Sequence, residues 1–284
     1  VILVTAATGT VGRAVFQSLA GAGVSARAGV RNPQAFLAAH PSADAVALDF
    51  DQLETFGPAL QGASAVFLLT PLHEQMPAWV GNLVAAAEEA GVRRIVRLSA
   101  MGADWQPAIT LGRVHRAAER AIEQSGLDYT ILRPNAFMQN YVNHFGATIR
   151  ADGAFYLPQG GGRVSVIDVR DIAAVATRVL VGCEHEGKTY ELTGGEALSN
   201  YDIAAILSET LGRPIRYVDV AEQVADAALA RQGMSPWQSR VIMELYAVSR
   251  ADVAATVSTH VRELLGRPPT GIRRFVADHA AGLR

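Results

Sequence analysis

The sequence predicts an α/β fold, a doubly wound parallel sheet with helices on both faces and a small C-terminal α/β cap. Three observations predict it. Short apolar runs alternate with helical patterns through the first half of the chain. The apolar runs are continuous, as in Val66-Phe67-Leu68-Leu69, which marks strands covered on both faces. A glycine-bearing turn separates the first strand from the first helix.

The elements follow in order. Val1–Thr5 reads as a buried strand and Val11–Ala22 as a helix, with Val11, Ala14, Val15, Leu19 and Ala22 at helical spacing. Val24–Val30 is the second strand, and Pro33 opens a short helix. Ala45–Asp49 is the third strand, followed by a helix over Gln52–Leu60 that Asp51 would cap. Ala65–Thr70 is the fourth strand, ended by Pro71. A long helix runs from Pro77 to Ala90 and stops at Gly91, and Val92–Ser99 is the fifth strand. Gly102–Thr110 reads as a loop and Leu111–Gln124 as a helix closed by Ser125-Gly126. Tyr129–Leu132 is the sixth strand, stopped by Pro134.

Beyond Pro134 the alternation loosens. A helix is expected over Asn135–Ile149, and short strands at Gly153–Leu157 and Val164–Val166 around Gln159-Gly160-Gly161-Gly162. Asp171 is expected to cap a helix over Ile172–Val181, and Thr189–Thr193 to return as a strand. Ser199 or Asn200 caps a helix to Leu211, and Ile215–Val220 is strand-like. Residues 1–152 therefore form the core, with 170–193 returning to its sheet, and 153–284 mainly form the cap.

Composition narrows the function classes. The chain has 284 residues, half of them apolar and 18% charged, with a net charge of −2. No basic block points to nucleic acid, and no apolar run reaches the roughly 18–20 residues of a membrane span. The single cysteine, Cys183, allows no internal disulfide, and no Cys/His cluster has zinc spacing. No metal is expected, and a reducing, cytoplasmic setting fits. The chain opens at Val1 inside a strand, without an initiator Met, so trimming is expected and a leader removed earlier would leave no trace.

The turn after the first strand reads Thr5-Ala6-Ala7-Thr8-Gly9-Thr10-Val11-Gly12. Gly9 would let the backbone approach a pyrophosphate, and Gly12 would let the helix pack closely on the sheet. The free N–H groups of Thr8 to Gly12, at a helix N-terminus, suit phosphate oxygens. The alternative is a tight turn that binds nothing; the strand–turn–helix context favours a Rossmann dinucleotide site. Alanine, Ala6 or Ala7, stands where the first glycine belongs, which is tolerated only if φ is negative there.

The end of the second strand, Val30-Arg31-Asn32-Pro33, holds no carboxylate to bind the ribose hydroxyls of NAD. Arg31 can instead pair with a 2′-phosphate, so the expected cofactor is NADP(H). Arg13 either assists or is a solvated surface residue. Asp49 could accept from the adenine amino group with Phe50 beside the ring, while Thr70 and Pro71 should line the ribose.

These segments, with Arg97-Leu98-Ser99-Ala100, His115 followed by Glu119, Ser125 to Pro134, Phe137-Met138-Gln139-Asn140 and Leu265-Gly266-Arg267-Pro268-Pro269, resemble the NmrA-like branch of the atypical short-chain dehydrogenase/reductases. The resemblance covers nearly the whole chain in order. It implies six or seven parallel strands and a substrate pocket over the nicotinamide. Similar members include NADPH-dependent quinone oxidoreductases and triphenylmethane-dye reductases. NmrA itself binds the dinucleotide as a regulator, so enzyme and sensor both stand as readings.

The Tyr-x-x-x-Lys pair of ordinary short-chain dehydrogenases cannot exist here. The only lysine is Lys188, beside 24 arginines, and Glu184 stands four residues before it. Anchored on Glu119, Leu111 takes the tyrosine place and His115 the lysine place. His115 is the remaining acid/base candidate, because an unperturbed histidine titrates near neutrality; otherwise it positions the nicotinamide ribose or lies on the helix surface. Ser99 either binds the substrate oxygen or ribose or caps a turn. Pro134, Asn135 and Phe137 should face the nicotinamide and its carboxamide. Phe137, Tyr141, Trp79 and Trp105 could wall a pocket for a flat substrate, or pack in the core. Asp168 and Asp171 read as turn and cap residues.

A reductase without a dedicated proton donor suits quinones, enones and iminium-type cations, so the expectation is an NADPH-dependent oxidoreductase acting on a small conjugated acceptor, as a monomer or homodimer. The alternatives are a non-catalytic NADP-binding redox sensor and a non-redox isomerase or lyase that keeps its nucleotide.

Overall fold

The computed structural model describes residues 1–284. The first half runs β1 (Ile2–Val4), α1 (Thr10–Gly21), β2 (Ala26–Val30), α2 (Pro33–Ala39), β3 (Asp44–Ala47), a 3-10 turn (Leu53–Thr55) leading into α3 (Phe56–Leu60), β4 (Ala65–Leu68), α4 (Met76–Glu89), β5 (Arg94–Leu98), α5 (Thr110–Glu123) and β6 (Asp128–Pro134). The second half runs α6 (Asn140–Asn143), α7 (Gly146–Asp152), β7 (Ala154–Leu157), β8 (Arg163–Val164), α8 (Val169–Val181), β9 (Lys188–Leu192), β10 (Leu198–Ser199), α9 (Asn200–Leu211), β11 (Arg216–Asp219), α10 (Glu222–Arg231), α11 (Pro236–Arg250), α12 (His260–Leu265) and α13 (Ile272–Asp278).

A seven-stranded sheet has the order β3-β2-β1-β4-β5-β6-β9. Strands β1 to β6 pair in parallel throughout. The strand order reverses between β1 and β4, the switch point at whose carboxyl ends such sheets bind ligands. The chain divides into two compact units, Val1–Arg133 with Ile172–Tyr190, and Pro134–Asp171 with Glu191–Arg284. The first stretch of the first unit ends at Arg133, within β6.

In the first unit the apolar stripe of α1, Val11, Val15 and Leu19, is buried. One core cluster gathers Leu3, Val66, Leu68, Leu83 and Ile95. Each such side chain contributes roughly 1.5–3 kcal/mol on leaving water. The continuous apolar runs of β1 and β4 are buried at every position, as parallel strands require.

In the second unit, β7 pairs in parallel with β11 and β8 antiparallel with β10. Phe155 stands against Tyr141, Phe145 and Tyr217. Ser199 caps α9 in a reciprocal capping box with Asp202, the signal read from sequence.

Three local expectations need correction. The helix expected over Asn135–Ile149 is two short helices that begin only at Asn140, because Phe137 is held in a bridge to Ile167, with the Met138 N–H donating to the Ile167 carbonyl, and 138–139 form a turn. Asp171 does not cap α8: Asp168 precedes the helix and its Oδ1 accepts from the Arg170 N–H at 2.9 Å. Asp171, fully buried, instead accepts from the Thr270 N–H at 2.6 Å and from Arg267 at 2.7 Å, tying down the segment before α13. Asp51 does not cap the helix after β3, since its Oδ1 accepts from Trp79 Nε1 at 3.1 Å. No helix is long and apolar enough to cross a membrane.

Candidate active site

At the switch point the turn from β1 to α1 closes on itself, with the Gly9 N–H donating to the Ala6 carbonyl at 2.9 Å. Ala6 holds φ at +49°, so the expectation of a negative φ at the alanine position is overturned. The bond and the close approach of Gly12 over-determine a conformation that alanine resists. A Cβ on Gly12 would stand 2.3 Å from the Ala6 carbonyl oxygen, and one on Gly9 3.3 Å from the same atom. The neighbouring strand end is fixed by Thr5, whose Oγ1 donates to the Leu69 carbonyl at 2.6 Å and accepts from the Leu69 N–H at 2.8 Å.

This turn fits a dinucleotide phosphate. Gly9 is the N-cap of α1 and contributes no side-chain bond, and no acidic residue stands in the first turn. The leading N–H groups of α1, those an α-helix leaves without internal partners, therefore face no competing carboxylate. Thr8 and Gly9 are exposed, Thr10 is half-buried, and Val11 and Gly12 are buried. Arg31 at the end of β2 is exposed, while Asn32 beside it caps α2 by accepting from the Ala35 N–H at 3.0 Å. Arg13 is also exposed on α1.

After β3, the Asp49 side chain is half-buried, with Oδ1 accepting from the Asp51 N–H at 3.1 Å. Phe50 is not free to lie beside an adenine. It is buried, stacked on Trp79 at 5.7 Å between ring centroids and edge-on to Phe56. Trp79 in turn stacks on His73 at 4.7 Å, so it is a core residue and not a pocket wall. Of the β4 end, Pro71 is exposed, and Thr70 is buried with its Oγ1 accepting from Arg97 at 3.1 Å.

Strand β5 and helix α5 carry a buried charged cluster. Ser99 Oγ donates to Glu119 Oε1 at 2.6 Å and lies 3.3 Å from His115 Nδ1. Arg133, on β6, clamps Glu119 bidentately, Nε to Oε1 at 2.9 Å and Nη2 to Oε2 at 2.7 Å. It also reaches Asp104, and Arg116 joins Glu119 to Glu123. Burial works against the Glu119 charge, yet the bonds from Arg133 and Ser99 outweigh it and hold the carboxyl below its ordinary range. Arg97 is fully buried, reaching only the Leu68 carbonyl, Thr70 and Met76 Sδ, and its Nε has no partner. Burial lowers its pKa to about 10.

His115 is 8% exposed. Burial first, then the charges of Arg97 and Arg133, push its pKa down to about 3. Against the sequence-based expectation of titration near neutrality, burial and the two cations favour the neutral imidazole.

The remaining candidates belong to the second unit. Pro134 is buried. Asn135 spends its whole side-chain amide inside the protein, donating to Ser165 Oγ and the Ala254 carbonyl at 2.8 Å each and accepting from the Ala136 N–H at 2.8 Å. Its side chain is thus a loop tie, not a carboxamide ligand. Tyr141 is likewise buried, its hydroxyl donating to Asn200 at 2.7 Å, so it walls no pocket. Phe137 is half-buried. In the first unit Trp105 is half-buried too, its ring covering Gly102, where a Cβ would come within 2.6 Å.

Sequence reasoning missed Arg97, Glu119 and Arg133 as partners of His115. The signals were present. Arg97 and Arg133 interrupt the apolar stretches of β5 and β6, and Glu119 shares the His115 face of α5 at a spacing of four.

Residues 6–181 match the NAD(P)H-binding family. The NAD(P)H azoreductase of Xenophilus azovorans is 37% identical over 99% of this chain and 98% of its own length. The NADPH-dependent quinone oxidoreductase QOR2 of Escherichia coli, solved with NADPH, superposes with a TM-score of 0.86 at 29% identity, covering 98% of this chain and 99% of that one. The Citrobacter sp. triphenylmethane reductase, solved with NADP(H), superposes at 0.84 and 27% identity, with 98% and 99% covered. NmrA, 17% identical with a TM-score of 0.76 over 98% of this chain and 94% of its own, shares the fold alone, so the regulator reading gains nothing from it. With the turn, the switch-point sheet and these relatives in agreement, the chain belongs to the NAD(P)H-binding family.

Proposed function

We infer that this chain is an NADPH-dependent oxidoreductase that reduces a small conjugated acceptor: a quinone, an enone, an azo compound or an iminium-type dye. One observation carries the reading: a turn fitted for dinucleotide phosphates accompanies a buried histidine that cannot donate a proton near neutrality. Such a protein suits acceptors whose reduced form needs no enzyme-held acid at the moment of transfer. The names of its relatives agree, being an azoreductase, a quinone reductase and a triphenylmethane reductase.

The amides of Thr8, Thr10, Val11 and Gly12 would hold the pyrophosphate, with Gly9, whose own N–H is bonded to the Ala6 carbonyl, giving it room to approach, and Arg31 would hold the 2′-phosphate. Asp49 would meet the adenine, and Thr70 and Pro71 the ribose. When bound, the reduced nicotinamide supplies the hydride. The protein's own contribution is to orient the acceptor and exclude water, with Phe137 and Trp105 as the aromatic residues still open to a flat substrate. The protein acts as a monomer or homodimer in the cytoplasm, supported by its lone cysteine, and without nucleic acid, supported by its mixed charge.

The test is to mix purified protein with NADPH and a panel of quinones, enones, azo dyes and triphenylmethane dyes. Acceptor-dependent NADPH loss with at least one class is expected. No loss across the panel would overturn the reading.

A further inference from the structure

The cluster around His115 fixes more than its charge. Ser99 has one hydroxyl proton, and two groups compete for it. Glu119 Oε1 is a carboxylate at 2.6 Å and His115 Nδ1 is a neutral nitrogen at 3.3 Å. The shorter, charge-assisted bond takes the proton. Glu119 cannot release it by turning, because Arg133 grips both carboxylate oxygens at 2.9 and 2.7 Å. The Ser99 oxygen can then meet His115 only as an acceptor, so Nδ1 must carry the hydrogen. Nε2 is left with its lone pair, and no group of the chain bonds to it.

The charged groups facing the ring are Arg97 from β5 and Arg133 from β6, both cationic, with Glu119 one turn along α5. The packed helix α4 offers no charge before Glu88. Every cation around the ring opposes a second proton.

We propose that Arg133, Glu119 and Ser99 form a relay that locks His115 in its Nδ1–H tautomer, making Nε2 a standing hydrogen-bond acceptor for a hydroxyl of the bound cofactor or acceptor. Arg133, Glu119 and Ser99 are positioning residues in this arrangement. It rests on the oxidoreductase reading and deepens it. The site grips a hydroxyl but hands over no proton, so the proton that completes reduction comes from solvent.

The experiment is long-range proton–nitrogen NMR on protein labelled with ¹⁵N-histidine, with His115 assigned by the signals lost in His115→Gln. Free protein should show Nδ1 in the pyrrole-like range and Nε2 in the pyridine-like range, unchanged between pH 5 and 8. Ser99→Ala should move both signals toward the tautomeric average, and Ser99→Thr, which restores the hydroxyl, should return them. NADP⁺ alone should shift the Nε2 signal if the hydroxyl is the cofactor's, and acceptor added after it if the hydroxyl is the acceptor's. An Nε2–H tautomer in the unaltered protein, a titration between pH 5 and 8, no change in Ser99→Ala, or an Nε2 signal moved by neither ligand would overturn the proposal. The tautomer is read without turnover, so an inactive acceptor panel would sink the oxidoreductase reading while leaving the lock standing.

Discussion

The turn between β1 and α1 and the charged cluster on β5, β6 and α5 lie in one unit and are built of opposite materials. The turn is backbone. Its shape is set by a carbonyl at Ala6, two glycines that leave no Cβ, and helix N–H groups without partners. The cluster is side chain. Its shape is set by three guanidinium groups, a carboxylate, a hydroxyl and an imidazole brought from three elements. A backbone site tolerates changes of neighbouring side chains but not one added methyl. A side-chain site tolerates methyls but not the loss of a charge, because each group's protonation depends on the others.

The largest effect should come from the cluster. Glu119→Ala leaves Arg133 without its bidentate partner beside the already unpaired Arg97. Removing one partner of a buried pair costs about 3–5 kcal/mol, so urea unfolding should show a loss of that order. A loss below about 1 kcal/mol, the range of exposed ion pairs, would show that water reaches the cluster and would erase the contrast with the turn.

The turn's counterpart is Gly12→Ala. A methyl placed 2.3 Å from the Ala6 oxygen must push helix from turn, at about 1–3 kcal/mol of stability. NADPH affinity in a calorimetric titration should fall at least roughly tenfold, which corresponds to about 1.4 kcal/mol. Gly21→Ala in the same helix meets nothing within 4 Å and should leave both quantities intact. Equal behaviour of the two variants would deny the turn its steric role.

Arg31→Ala separates phosphate recognition from turn geometry. A charge-assisted bond is worth about 1.5–3 kcal/mol, so the NADPH dissociation constant should rise roughly 10- to 100-fold while that of NADH barely moves. Equal weakening of both cofactors would remove Arg31 from the 2′-phosphate.

The cluster also predicts a pH dependence that the turn lacks. Unfolded His115 takes up a proton below about pH 6.5, whereas the buried ring does not until about pH 3. The unfolded state therefore binds more protons across that window, and native stability falls as pH falls, by about 1.4 kcal/mol per pH unit at full effect. Glu119, whose folded pKa is depressed, adds its own loss only at lower pH, as unfolded carboxyls begin to protonate. His115→Gln should flatten the stability profile between pH 6.5 and 5. An unchanged slope would mean that His115 titrates normally in the folded protein.

The same contrast explains what the sequence revealed. The turn was legible because glycines at fixed spacing after an apolar strand have few physical uses, and Arg31 followed from the missing carboxylate. The sheet was legible because parallel strands must be apolar on both faces. The cluster was not, because its members lie far apart in the chain and only packing brings Ser99, Glu119 and Arg133 within bonding reach. A histidine seen only in sequence carries the pKa of the solvated side chain, and burial lowers that of His115. Trp79, Phe50 and Tyr141 show the converse: an aromatic side chain looks alike in sequence whether it walls a pocket or, as here, fills a core.

The smallest expected effect tests the turn at its one imperfect residue. The sequence left open whether Ala6 or Ala7 occupies the usual first-glycine position. Ala6, at φ +49°, is the answer, and no positive φ occurs at Ala7. Left-handed backbone costs an L-residue roughly 1–2 kcal/mol, and glycine would relieve it while losing about 0.5–1 kcal/mol to its greater freedom when unfolded. Ala6→Gly should therefore stabilise the protein by up to about 1 kcal/mol, a rise in Tm of roughly 2 °C at this size, with NADPH affinity unchanged. Ala7→Gly, fully buried and without strain to relieve, should destabilise by about the entropic amount alone. If both variants shift Tm in the same direction, the strain at Ala6 is not real, and the alanine there costs the turn nothing.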